Sequence, residues 1–287
     1  MQNHEAPPEG EKPSQREPKE NVAKSGNEKE KIAGEDTASS APEPAFFPRG
    51  FWKGVDYLLH HPEEVLELLR RDRELGRLSR IFFIISLIMA AIYGAVMGAT
   101  NLLQGSIMPL HGKLLMILIT GIKVPALFLL TLIIVFPPIY VSNAFVGVRL
   151  SFQKMLAVLL ASIAISSTVL ASTATVAFFF SLTTKSYNFI KLLHVFFFMC
   201  AGYSGLTYLF RCIREISPPG MRQTPGKLFV MWLLLYIFVG TQLAWVLRPF
   251  VGSPNERFQL FRPRKGNFYE SVLYSTKEVF TKIDWTD

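Results

Sequence analysis

Between Leu75 and Arg214, about 140 residues, the chain contains no aspartate and no glutamate. A water-soluble domain of that length needs charges of both signs on its solvent face. The solvent that suits this stretch is hydrocarbon. Of the 287 residues, 18% are charged and 50% hydrophobic, against roughly 25% charged in soluble domains. An ordinary soluble enzyme, a secreted disulfide scaffold and a coiled coil are excluded on these grounds. Residues 1–45 hold ten acids and six bases, so the remainder carries about +12 of a formal net +8.

A helix needs about 20 apolar residues to cross the hydrocarbon core. Five segments qualify, at about 81–99, 124–145, 156–180, 190–210 and 227–247. The region Leu114–Val146 is too short for two crossings and too long for one straight one. Lys123, Pro125 and the pair Pro137-Pro138 interrupt it. The expectation is a lead-in that ends at the interface beside Lys123, followed by a kinked span. Residues 79–248 thus read as an all-α, polytopic transmembrane helical bundle.

The flanks differ from the bundle. Residues 1–45 are too poor in apolar side chains to offset the entropy of ordering and read as a disordered polar tail. They lack the apolar run of a signal peptide. In 46–78, Phe51, Trp52, Val55, Leu58 and Leu59 recur at helical spacing, and a second helix starts at Pro62 with Glu63 and Glu64 in its first turn. These amphipathic helices either lie on the membrane surface or pack against the membrane domain itself. Residues 249–287 form a polar tail, with a short amphipathic helix after Gly266-Asn267.

Arg70, Arg71, Arg73, Arg77 and Arg80 precede the first span, and Arg149, Lys154, Arg211, Arg214, Arg222 and Lys227 fall on the same side. The excess of basic residues in cytoplasmic loops places the N-terminus in the cytoplasm. Five spans leave the tail outside, despite Arg257, Arg262, Arg264 and Lys265; six would return it. Interfacial positions are expected for Trp52, Arg70, Arg71, Trp232, Trp245 and Arg248, where indoles sit among headgroups and long cations reach phosphates, anionic ones included.

Small residues four apart mark close helix packing: Ala90, Gly94 and Gly98; Ala201 and Gly205; Gly240 and Ala244. They suit the bundle's own contacts or a homo-oligomer. Ser162, Ser166, Ser167, Thr168, Ser172 and Thr173 enrich the third span in hydroxyls, which serve helix packing or line a polar path. His194 and Gln242 are further polar groups within spans. With no carboxylate there, a metal site or carboxylate-coupled transport is not expected. Cys200 and Cys212 stand about 18 Å apart on one helix, beyond disulfide reach. No nucleophile elbow, phosphate loop or dinucleotide motif occurs. No catalytic, cofactor or metal residues are expected, and a nucleic-acid partner is not either.

The stretch His61-Pro62-Glu63-Glu64-Val65 through Arg71, and the connection Gly147-Val148-Arg149-Leu150-Ser151-Phe152 through Leu156, resemble the Yip1-type membrane proteins over about 51–250. Gly240 through Pro249, with Phe261-Arg262 and Gly266-Asn267-Phe268, is also similar to bacterial multi-pass proteins without an assigned activity. The first resemblance implies a cytoplasmic N-terminal arm, five closely spaced spans and a non-enzymatic role in membrane organisation or trafficking. The long tail after the fifth span departs from that pattern. The functional expectation is therefore a non-enzymatic protein that binds partners or lipids. The alternative is a channel or permease for a small solute along the third span.

Overall fold

A computed structural model describes residues 47–48, 50–72, 74–103, 109–145, 150–184, 186–216, 226–248, 250–251 and 267–281. The tail expected at 1–45 lies outside these residues. The described residues form nine helices and no strand: α1 (Phe51–His60), α2 (Pro62–Arg70), α3 (Leu75–Leu103), α4 (Leu110–Phe145), α5 (Phe152–Ser172), α6 (Ala174–Thr183), α7 (Tyr187–Ile216), α8 (Gly226–Leu247) and α9 (Phe268–Thr281). Five candidate spans result: α3, α4, α5 with α6, α7 and α8 are each long and apolar enough to cross a bilayer. The chain is an all-helical, multi-pass membrane protein.

Two spans differ from expectation. The lead-in and the second span are one helix of 36 residues, α4, with all three prolines inside it. In lipid an unpaired backbone group costs several kcal/mol, so the chain stays helical across a proline. At 1.5 Å per residue α4 is about 54 Å long, against a hydrocarbon core of about 30 Å. The third span, in turn, is broken at Thr173. The Ser172 hydroxyl donates to the Val169 carbonyl at 2.7 Å and that of Thr173 to the Leu170 carbonyl at 2.7 Å. The Thr173 N–H is shared between the Val169 and Leu170 carbonyls. Such local bonds compete with the regular ladder.

The third span is the bundle's centre: 72% of its apolar window is buried inside the protein, against 11% for α8. α3 packs on α4 and α5, α5 on α7, and α8 on α4. Glycines set the closest approaches. A Cβ on Gly94 would stand 2.5 Å from the Thr120 carbonyl oxygen, and one on Gly98 2.7 Å from Ile117 Cα. One on Gly205 would meet the Ser162 carbonyl oxygen at 2.7 Å. Without a hydrophobic drive between helices in lipid, this backbone proximity is what holds them.

The short helices close the two ends. α1 and α2 bury Val55, Leu58, Val65, Leu66, Leu68 and Leu69 against the protein itself. Each fully buried side chain of this kind is worth about 1.5–3 kcal/mol where the alternative is water. Glu63 pairs with Arg211 near the C-terminal end of α7, and Asp72 with Lys154 at the start of α5 at 3.0 Å. We call this the inner end. At the start of α7 instead, Ser275 of α9 donates to Asn188 Oδ1 at 3.3 Å and Lys191 Nζ donates to Ser271 Oγ at 3.3 Å. α9 therefore sits at the outer end. It opens on a capping box: the Glu270 N–H donates to Asn267 Oδ1 at 2.8 Å and the Asn267 N–H to Glu270 Oε2 at 3.2 Å.

Candidate functional site

The close approach of Gly94 to Thr120 fixes the register of α3 against α4, and other contacts extend that level across the bundle. Tyr93, beside Gly94, joins α3 to α7: its hydroxyl lies 2.6 Å from His194 Nδ1, and both side chains are buried. The Thr120 hydroxyl donates to the Phe250 carbonyl at 3.2 Å, just past the end of α8. Tyr187 OH donates to the Val251 carbonyl at 3.3 Å. Phe250 is thus level with Gly94, which lies about 9 Å along α3 from Thr100 and about 20 Å from Ile81. α8 ends roughly two turns short of the outer end of α3.

Three groups that can carry a positive charge lie near this level on three different helices or their ends. Lys123, one turn inward of Thr120, is 6% exposed. The expectation that a lead-in segment ends beside it is overturned, since α4 runs unbroken through Lys123 and Pro125. Arg248, two residues before Phe250, lays its guanidinium carbon 3.6 Å from the centre of the Trp245 ring, a cation–π contact. His194 is the third. In the arrangement that leaves no Tyr93 proton idle, the Tyr93 O–H donates to Nδ1 and the imidazole proton sits on Nε2. That Nε2 is buried and has no hydrogen-bond partner among the described residues. Phe198 stands edge-on to Tyr93 with ring centres 5.7 Å apart and stacks on Phe128 at 6.2 Å, closing the layer with aromatic surface. No acid lies between Leu75 and Arg214, while α9 brings Glu278 to Asn188 at the start of α7.

The hydroxyls of the third span lie elsewhere. Ser162 donates to the Gly205 carbonyl at 2.6 Å, and Ser166 packs on Gly205. Ser167 and Thr168 donate to the Ala164 carbonyl at 3.0 and 2.7 Å. Gly205 is eleven residues from His194, about 16 Å along α7, so Ser162 and Ser166 make no nucleophile–base pair with His194. Among the described residues no three of His, Cys, Asp and Glu converge in a metal-binding group.

At the interfaces, Trp52 is 70% exposed on α1. Arg70 and Arg71 both turn to Glu67, at 3.7 and 2.6 Å. Trp232, expected among headgroups, is instead fully buried, its indole N–H donating to Ser142 Oγ at 2.9 Å. Gln242 lies exposed on α8. Sequence reasoning missed Tyr93 and the depth of Lys123. The available signal was apolar residues on both sides of Lys123 and a tyrosine beside the Gly94 packing face. No family model, curated protein or solved structure matches the chain.

Proposed function

We propose that the protein is a non-catalytic organiser of the membrane, which holds its inner-end helices as a platform for a protein or lipid partner. One observation carries this reading: of the hydroxyls that were candidates to line a path, Ser162, Ser167, Thr168 and Thr173 donate to the protein's own backbone, at Gly205, Ala164 and Leu170. A packed centre suits a rigid scaffold. The platform is braced by the pairs Glu63–Arg211 and Asp72–Lys154, while Trp52 and Leu59 stay exposed on α1. The arginines ahead of α3 support a cytoplasmic location for this end, and the Yip1-type resemblance supports a role in membrane organisation or trafficking. The test is cross-linked capture from intact membranes by the full chain, compared with a Trp52→Ala, Leu59→Ala variant. Specific neighbours lost in the variant support the reading; identical profiles overturn it.

One observation favours a second reading. Lys123 and His194 are buried within candidate spans and Arg248 is part-buried at the end of α8, and ionisable groups within spans commonly mark solute routes. A permease for a small anion would use this layer, with the route between α4, α7 and the end of α8 rather than along α5. Flux of chloride, phosphate or a small carboxylate through reconstituted vesicles, abolished by Lys123→Met, decides between the two.

A further inference from the structure

The basic residues at the inner end divide into two groups. Arg70 and Arg71 share Glu67, Arg77 lies 2.7 Å from Glu74, Lys154 pairs with Asp72, and Arg211 with Glu63. Lys53 and Arg80 are exposed and make no ion pair among the described residues. Their placement is specific. Gly54, next to Lys53, sits with its Cβ position 3.7 Å from both Ile81 Cγ2 and Ile85 Cδ1. α1 therefore lies alongside the first apolar turns of α3. Arg80 is the inner end of the exposed apolar stripe of α3, which continues through Phe83, Ile84, Leu87 and Ile88, each 38–41% exposed. Beside Lys53, Trp52 presents an indole that is 70% exposed, the side chain best suited to the headgroup layer.

We infer that Lys53 and Arg80 seat the headgroup of an anionic phospholipid, with its acyl chains along Phe83, Ile84, Leu87 and Ile88. Charge complementarity identifies the occupant: two cations without carboxylate partners among the described residues stand at the end of an exposed apolar stripe. The residues selected differ from Arg70 and Arg71, which share the single carboxylate of Glu67 and sit where α2 meets Lys154 of α5 rather than beside the stripe of α3. The inference deepens the platform reading and rests on it, since it gives the lipid that the platform recognises. Its failure is separable, because loss of a lipid preference leaves capture of a protein neighbour unaffected.

The test uses the full chain, exchanged into nanodiscs of phosphatidylglycerol and phosphatidylcholine in equal amounts, then released and weighed by native mass spectrometry. The wild type should retain phosphatidylglycerol preferentially. Near a surface each Lys or Arg contributes about 1 kcal/mol toward anionic lipid, so Lys53→Gln with Arg80→Gln should cut that preference roughly tenfold or more. Lys53→Arg with Arg80→Lys should keep it, as should Arg70→Gln with Arg71→Gln. Both altered positions are exposed, and an unchanged elution profile checks that the variant is folded. A wild type with no preference, a glutamine variant that keeps it, or an Arg70/Arg71 variant that loses it equally, overturns the inference.

Discussion

Lys154 Nζ at the start of α5 lies 3.0 Å from Asp72 Oδ1 and donates to the Arg70 carbonyl at 3.0 Å. One ammonium thus ties the end of α2 to the most buried span. Asp72 holds φ 56, a left-handed conformation that aspartate tolerates better than most residues. Lys154 is 8% exposed, so its charge is not met by water. Lys154→Met should lower stability by about 1–3 kcal/mol, the cost of stranding a carbonyl and a charge partner. Asp72→Asn keeps the turn and should cost less. Thermal unfolding of the purified chain in one detergent ranks the two; equal midpoints for wild type and Lys154→Met would show that the tie is idle.

The glycines split into two predicted classes. At Gly94, Gly98 and Gly205 a Cβ would come within 2.8 Å of another helix's backbone, which cannot yield as a flexible side chain does. Gly94→Leu or Gly205→Leu should force helices apart and cost about 2–5 kcal/mol, or block folding. At Gly202 and Gly240 nothing lies within 4 Å of the Cβ position. Leucine there should be tolerated, with any change within about 0.5 kcal/mol. Monodisperse yield after solubilisation separates the classes.

The difference between what the sequence discloses and what it hides is physical. α3, α7 and α8 were legible because a bilayer demands length and apolarity, which are local properties. α1 and α2 were legible from period and from Pro62 at the first helical position. The continuity of α4 was not: Lys123 and Pro125 carry the signs of a helix boundary in water, and in lipid those signs lose to the cost of an open backbone. The Tyr93–His194 bond joins residues 101 apart, so no window of sequence contains it. The engagement of Arg70 and Arg71 went unread, although Glu67 stands three and four residues before them on one helix face.

Tyr57 gives the elbow between α1 and α2 a titration of its own. Partial burial, the hydrogen bond it donates to Glu64, and the charge of that carboxylate push its phenol from 10.0 up to about 12. A raised phenol favours the neutral form in the fold. The contribution is fully present below pH 10.0 and is lost as pH rises through about 12. Glu64→Ala removes both the acceptor and the charge and leaves burial, so it should bring the titration part of the way back. The difference in tyrosinate absorbance between each protein and its Tyr57→Phe counterpart isolates this group. An unchanged midpoint in Glu64→Ala would mean that burial alone sets it.

The polar layer predicts non-additive behaviour. In Tyr93→Phe the hydroxyl leaves and the buried His194 Nδ1 loses its donor. Stranding a buried group of this kind costs about 1–3 kcal/mol. In His194→Phe the Tyr93 hydroxyl is stranded instead, at similar cost. The double variant strands neither, so it should be less destabilised than the two single changes summed, by about 1 kcal/mol or more. Strict additivity in thermal unfolding would show that the bond contributes nothing to the fold. Anion flux then separates the packing role from transport. If the layer only joins α3 to α7, Lys123→Met and Arg248→Gln leave vesicles as tight as the wild type does. A wild type that passes chloride and a Lys123→Met variant that blocks it would place the route at the end of α8, beside a histidine whose free nitrogen faces the same level.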